Sequence, residues 1–387
     1  MNGAFRGEEP DPRLDAPPGL GSGSWLTRRG SRGSLSPVAP QLVIAILLTI
    51  PALGAAEPPE AALDSGSLMA PHGEVGRFFN PWEQTPKKSP GFLRWKLLSR
   101  NPYDKKRPPV IPQIPNNGAD LSGVAPSPTL TWVGHATYAI HEGDDVVLTD
   151  PHFGERALIR RRQSPPGIPL AAIPPDAFAV ISHAHYDHLD AATVEALPET
   201  VGWYVPLGLG PWFRERGRED VVELDWWEQA RRGRWTITCL PSQHWSRRGL
   251  GDSNAALWCA WLIDSGDTRY FFAGDTGYFH GFAEYGRRFA PIDVALLPIG
   301  AYEPRWFMRL QHMNPPEAYR AFLDLKARYM LSLHWGTFDL TDEPLDLPPR
   351  VLDDVLREEG GDPRRVRSLA IGERWELPAR ATAAAKE

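Results

Sequence analysis

The sequence predicts an α+β chain in which a sandwich of β-sheets is covered by helices. Three observations carry that expectation. Apolar runs of strand length recur through most of the chain. Helical signals are few and dispersed among them. No second linker and no short-period repeat interrupts the pattern after about residue 77. Many strands with scattered helices pack best as sheet on sheet with the helices outside.

The elements come in order along the chain. Residues 130–133 and 145–149 are strand candidates, rich in β-branched, aromatic and aliphatic residues. Residues 178–182 are apolar nearly throughout, as in a strand buried on both faces. Asp190 can cap a short helix over 191–197, which Pro198 ends. Further strands are expected at 235–240, 256–263, 269–273, 294–298 and 329–333. Before the last of these, Asn314-Pro315-Pro316-Glu317 marks a stronger helix start. Asn314 can cap, Pro315 fits the first turn, and Glu317 stands at the capping-box position. Ala318, Phe322 and Leu325 then share one apolar face.

Composition bounds the partners. The formal net charge of −6 over 387 residues gives no general attraction to nucleic acid or to anionic membranes, and no nucleic-acid partner is expected. The 15 tryptophans suit either a large core or contact with lipid head groups. The 2 cysteines, Cys239 and Cys259, cannot build a disulfide framework; buried thiols on strands are expected, and a single bridge stays open.

Residues 1–75 are expected to be a disordered N-terminal segment and 76–387 one folded domain. Within the segment, Arg28, Arg29 and Arg32 precede the apolar run 42–50, and Gly54-Ala55-Ala56 comes after it. That order describes a secretory signal over about 28–56 and implies export, in a bacterium to the periplasm. Glu8, Glu9, Asp11 and Asp15 are atypical of such a leader, and an uncleaved anchor is the alternative.

The chemistry concentrates in ISHAHYDHLD, residues 181–190. His183 and His185 are two apart and point the same way on an extended strand end. Asp187 and His188 come next, where the chain turns toward the helix that Asp190 starts. Such a junction can splay four ligand-type side chains around one cavity, and their density suggests two adjacent metals rather than one. Three more ligand types each stand just past an apolar run: His244, Asp275 and His334. One such placement is unremarkable; four argue for a metal site.

The motif His183-Ala184-His185-Tyr186-Asp187-His188, with the later His244, Asp275 and His334, resembles the H-x-H-x-D-H signature and ligand order of the metallo-β-lactamase superfamily. The words FNPW (79–82), WVGHAT (132–137), TDPHF (149–153), ELDWWE (223–228), PSQHW (241–245), FFAGDTGY (271–278), LPIGAYEPRWFM (297–308) and LHWGTF (333–338) are similar to the N-acylphosphatidylethanolamine-hydrolysing phospholipase D family. The resemblance runs from about residue 79 to about 376. It implies a four-layer αββα sandwich with two Zn2+ per chain at one edge. His183, His185 and His244 would hold one ion, Asp187, His188 and His334 the other, and Asp275 would bridge them. Asp150 would orient a ligand from behind; His135 would do the same or would simply be a hydrogen-bonded core histidine.

The resemblance also implies a phosphodiesterase that cleaves N-acylphosphatidylethanolamine to N-acylethanolamine and phosphatidic acid through a metal-bridging hydroxide. Asp187, Asp275 and His312 would carry the catalysis, and Tyr186 and His312 would contact the phospholipid. His312 can equally be a capping or surface histidine. Trp306, Phe307 and Met308 form a bulky apolar run on an expected loop; exposed they would suit acyl chains or a membrane surface, and buried they are core. A lactonase or another phosphodiesterase on the same fold stays open, as do a non-catalytic zinc- or lipid-binding protein and a homodimer.

Overall fold

The computed structural model describes residues 65–82 and 91–380. The signal-like segment over 28–56 lies outside the described residues. In chain order the strands are the hairpin β1 (Gly73–Glu74) and β2 (Arg77–Phe78), then β3 (Ala125–Gly134), β4 (Thr137–Gly143) and β5 (Asp145–Thr149). A second hairpin, β6 (Arg156–Ala157) and β7 (Arg160–Arg161), precedes β8 (Phe178–Val180), β9 (Gly202–Pro206) and β10 (Val221–Leu224). The second half supplies β11 (Gln229–Arg232), β12 (Trp235–Leu240), β13 (Ala260–Asp264), β14 (Arg269–Phe272), β15 (Ile292–Pro298), β16 (Ala327–Leu333), β17 (Val366–Arg367) and β18 (Arg374–Glu376).

Two 7-stranded sheets result, ordered β10-β9-β8-β5-β4-β3-β18 and β11-β12-β13-β14-β15-β16-β17. Each is antiparallel on one side and parallel on the other: β8 pairs parallel with both β5 and β9, and β15 with both β14 and β16. β15 is buried along its whole length, which is why its sequence, IDVALLP, is nearly continuous apolar residues.

The helices are α1 (Gly91–Leu98), α2 (Ala191–Ala196), α3 (Gly210–Arg214), α4 (Gly281–Phe289), α5 (Arg305–Met308), α6 (Pro315–Asp324) and α7 (Pro348–Glu358). Val194 of α2, Leu197 at its C-terminal end and Phe213 of α3 pack with Ala179, Trp203 and Val205 on the outer face of the first sheet. Phe282 and Tyr285 of α4 and Phe322 of α6 join the inter-sheet core through the second sheet. The order of layers is therefore helix, sheet, sheet, helix, and the α+β sandwich read from the sequence is the observed fold. Asp190 caps α2 by accepting from the Thr193 amide, and Asn314 with Glu317 forms the complete capping box of α6.

Trp132, Trp203, Trp235, Trp258 and Trp261 are all fully buried, so core filling accounts for these tryptophans. Each such ring removes roughly 150–250 Å² from water, and the indole N–H needs a partner. Trp258 gives its N–H to Asn80 Oδ1 and the Ser242 carbonyl, and Trp261 to the Ile181 carbonyl. Cys239 lies on β12 and Cys259 just before β13; both are free and buried, and burial pushes both thiols up. Residues 65–75 sit with the folded unit rather than with the N-terminal segment expected from the sequence, because Leu68 is buried in the inter-sheet core. Among the described residues no helix is long and apolar enough to cross a membrane.

One close approach between neighbouring strand ends sets up the site. A Cβ on Gly300, just past β15, would lie 2.1 Å from the carbonyl oxygen of His334, just past β16. Backbone cannot yield as a side-chain tip can. Gly300→Ala is expected to displace His334 and to cost about 1–3 kcal/mol, read as a lower urea midpoint at unchanged slope.

Candidate metal centre

The ligand-type residues predicted from sequence converge beyond the C-terminal ends of the strands. β8 leads through Ile181 to Ser182 and His183, while His244 comes after β12, Asp275 after β14 and His334 after β16. His183, His185, His244 and Asp275 form one group whose donor atoms all lie within 4.8 Å of one another. His135, Asp187, His188 and His334 form a second group within the same limit.

Asp275 stands between them. Its Oδ2 lies 3.1 Å from His188 Nε2, 3.8 Å from His183 Nε2 and 3.9 Å from His244 Nε2. Its Oδ1 lies 3.0 Å from His334 Nε2. Asp187 Oδ2 lies 3.6 Å from His188 Nε2 and 3.5 Å from His334 Nε2. His135, for which a ligand-orienting role and simple burial both stood open, sets its Nε2 3.0 Å from the same oxygen.

Outer contacts fix which ring nitrogen faces inward. His188 Nδ1 is 2.6 Å from Asp150 Oδ2, His183 Nδ1 is 2.8 Å from Ser182 Oγ, and His244 Nδ1 is 3.0 Å from the Gln311 carbonyl. In each case Nε2 is left for the cavity, which is how proteins orient metal-ligating histidines. Asp150 also accepts from Ser182 Oγ at 2.5 Å and from the Ser182 amide at 2.6 Å. One buried carboxylate thus orients His188 directly and His183 through Ser182. The expected ligand-orienting role of Asp150 has this geometry behind it.

These residues fit a divalent metal. His185 Nε2 is buried with no hydrogen-bond partner, and the buried His188 Nε2, His334 Nε2 and Asp275 Oδ1 meet only ligand-type groups of the same cluster. His183 Nε2 and His185 Nδ1 face each other at 2.8 Å. Buried polar groups are almost always satisfied, so several unpaired donors and acceptors converging on one spot match a cation's shell. His135, Asp150 and His334 also hold left-handed backbone, with φ of 52°, 34° and 65°. Non-glycine residues pay roughly 1–3 kcal/mol for such geometry, and it persists where surrounding structure dictates it.

Electrostatics divides the histidines. Burial lowers His183 and His244 well below the usual histidine range and brings His185 to about 4, so all three are neutral and able to ligate. Burial also opposes charge on His188 and His334, but Asp275 foremost outweighs it. His188 is held well above its ordinary value, and His334 is raised to about 9. Burial would raise Asp275, yet His188, His334 and His312 hold it well below the carboxylate range.

The raised value at His334 sets a pH dependence. It moves from 6.5 to about 9, so in the metal-free protein its charge stabilises the fold below 6.5, and that stabilisation is lost as pH rises through 9. A metal must displace this proton, so metal binding is expected to release protons at neutral pH and to strengthen as pH rises toward 9. Calorimetric titration in buffers of different ionisation enthalpy reads the release directly; no buffer dependence would contradict it.

The other predicted residues differ in burial and in their distance from the ligand groups. His312 is buried, with Nδ1 3.9 Å from Asp275 Oδ2 and its ring 5.3 Å from both His244 and His334. Burial lowers it to about 4, so it is neutral. Tyr186 is half-buried beneath the Arg248 guanidinium, 4.4 Å from its ring centroid. The Trp306–Met308 run is a one-turn helix, α5, rather than the expected loop, because Pro304 precedes a turn that the Arg309 amide closes onto Arg305. Burial divides it: Trp306 is exposed, Phe307 is half-buried against Trp95, and Met308 is core. Sequence reading missed Arg248, which donates to the Leu189 carbonyl at 2.6 Å and the Ala184 carbonyl at 3.3 Å, clamping both sides of the ligand loop. Its only sequence signal was its nearness to His244.

Comparison with known proteins bears on this geometry. Residues 146–335 match the model of the beta-lactamase superfamily domain. A Caenorhabditis elegans protein named N-acyl-phosphatidylethanolamine-hydrolyzing phospholipase D 1 is 39% identical over 64% of this chain and 75% of its own length. The chain belongs to the metallo-β-lactamase superfamily. It is a metal-dependent hydrolase of that superfamily, with the ligand set described above as its candidate centre. A second relative, the mitochondrial N-acyl-phosphatidylethanolamine-hydrolyzing phospholipase D of Saccharomyces cerevisiae, is 36% identical over 60% of this chain and 52% of its own length. Among solved structures, a metallo hydrolase from the archaeon Ignicoccus hospitalis superposes with a TM-score of 0.51 at 19% identity, over 66% of this chain and 100% of its own; that likeness speaks for the superfamily fold alone.

Proposed function

We propose that the chain is a phosphodiesterase of the phospholipase D type, hydrolysing N-acylphosphatidylethanolamine to N-acylethanolamine and phosphatidic acid with two zinc ions. The observation that carries this reading is the pair of buried ligand groups joined through Asp275, with neutral His312 at their rim. The names of the worm and yeast relatives supply the substrate class.

His183, His185 and His244 would hold one ion and Asp187, His188 and His334 the other, with Asp275 shared. Two such ions lower the pKa of water and neutralise charge building on phosphate oxygens. The protein's own groups do the rest. Asp150 and Gln311 hold the ligand rings in place. His312, neutral at working pH, can donate a hydrogen bond to a phosphate or leaving-group oxygen. Tyr186, held by Arg248, borders the approach to the site. Water supplies the new oxygen on phosphorus, and its proton leaves with the N-acylethanolamine alkoxide.

The test is turnover of detergent-dispersed N-acylphosphatidylethanolamine by metal-loaded protein, with products identified by mass. N-acylethanolamine and phosphatidic acid are expected. Diacylglycerol with a phosphorylated head group would reject this regiochemistry. Full metal loading with no phosphodiester turnover would favour a different hydrolase of the superfamily.

A further inference from the structure

The hairpin β6–β7 carries a feature that neither the core nor the metal centre explains. Its register pairs Arg156 with Arg161 and Ala157 with Arg160, leaving Leu158 and Ile159 as a two-residue tip. Leu158 has φ 53°. Two-residue hairpin tips with positive φ at the first position normally use glycine there, because other residues meet steric strain. Here a leucine occupies it, and its side chain is not packed: Leu158 is 60% and Ile159 76% exposed. Strain held without a packing reward points to a use for the side chain.

The surroundings indicate the kind of use. Arg156, Arg160 and Arg161 flank the tip and are exposed, and none of them enters an ion pair among the described residues. Lys96 of α1 is near enough to Arg160 of the hairpin that, after burial, this charge depresses its ammonium, with Asp342 and Asp339 acting against it. α1 presents Leu97 at 70% and Leu98 at 82% exposure, with exposed Arg94, Lys96 and Arg100. α5 adds the exposed Trp306, over which Arg94 sits 5.0 Å from the ring centroid. The chain as a whole carries −6, so this cluster of like positive charges runs against the overall balance. Apolar tips ringed by cations fit an interface whose surface is anionic and whose interior is apolar.

The patch also touches the site. Arg162, next after β7, sits over the Phe338 ring, which packs against His135. Met308 of α5 accepts from the His312 amide, and Arg305 donates to the His312 carbonyl.

We propose that the β6–β7 hairpin, with α1 and α5, is the surface by which this protein docks on an anionic lipid bilayer, Leu158 and Ile159 entering the head-group layer while Arg156, Arg160 and Arg161 meet lipid phosphates. This deepens the lipid-hydrolase reading and rests on it for the role of the membrane. Vesicle binding is measured without turnover, so the two can fail separately.

The experiment is co-sedimentation of the full chain with vesicles of phosphatidylcholine alone and of phosphatidylcholine mixed with phosphatidylglycerol. The wild type is expected to bind the mixed vesicles more tightly, and less so as salt rises. Leu158→Gly removes one of the two apolar side chains of the tip while relieving the backbone strain, so it should fold at least as well yet bind roughly tenfold more weakly. Replacing Arg156, Arg160 and Arg161 together by glutamine should abolish the preference for phosphatidylglycerol. Both variants should keep the wild-type rate on detergent-dispersed substrate. Unchanged vesicle binding in both variants, or binding indifferent to phosphatidylglycerol and salt, would overturn the proposal. So would a wild-type dimer that Leu158→Gly converts to monomer without altering vesicle binding, since the patch would then be a self-contact. Variant-sensitive docking without phosphodiester turnover would uphold the surface and reject only the proposed substrate.

Discussion

Asp275→Asn is expected to cut turnover about a thousandfold or more, beyond the roughly 10–100-fold typical of residues that only orient a ligand. The reason is position. Asp275 offers Oδ1 at 3.0 Å to His334 of one group and Oδ2 at 3.8 Å to His183 and 3.9 Å to His244 of the other, so a single carboxylate serves both ligand groups. Asparagine keeps the shape but loses the charge and one acceptor. It also leaves His188 and His334, which Asp275 holds charged in the metal-free protein, without their main counter-charge. Removing one partner of a buried ion pair costs about 3–5 kcal/mol, so the metal-free variant should also melt earlier. Metal content by elemental analysis, circular dichroism and turnover, taken together, check this. A folded variant that keeps its metal and loses less than tenfold in rate would show that Asp275 does not join the two groups.

Asp150→Asn should act on the metal at one remove. Asp150 is fully buried and organises three donors: the Ser182 amide, Ser182 Oγ and His188 Nδ1. An amide can accept on one side only, so its NH2 must face either Ser182 or the His188 ring. Metal affinity, read by competition with a chromogenic chelator, is expected to fall about 10–100-fold with the fold intact. Both ligand groups should weaken, because Ser182 carries the effect on to His183. Unchanged affinity would mean that the ligand rings are oriented by packing alone.

The parts of this centre that were legible in the sequence share a cause. His183, His244, Asp275 and His334 each stand just past an apolar strand, and a strand end is a rigid mount whose direction the sequence announces. The capping box at Asn314 was equally plain, because its signal is local. The features the sequence concealed depend on long-range placement or on backbone that residue type does not report. His135 reaches Asp187 only because the turn between β3 and β4 adopts φ 52° at a non-glycine residue. Arg248 clamps a ligand loop some 60 residues before it, with no pattern linking the two. The bulky run 306–308 could not be divided into exposed and buried members until α5 was seen to turn once and pack on Trp95. Leu158 gave no signal of its own in the sequence, because residue type does not report the positive φ of the hairpin tip it occupies.

The central functional claim is attack on phosphorus, and isotope labelling tests it most directly. N-acylphosphatidylethanolamine should be hydrolysed by the metal-loaded enzyme in water enriched in oxygen-18, to a single turnover of the substrate pool, and both products weighed. One labelled oxygen is expected in the phosphate of phosphatidic acid and none in N-acylethanolamine. Label in N-acylethanolamine, or its absence from phosphatidic acid, would contradict cleavage at the phosphodiester phosphorus by this centre.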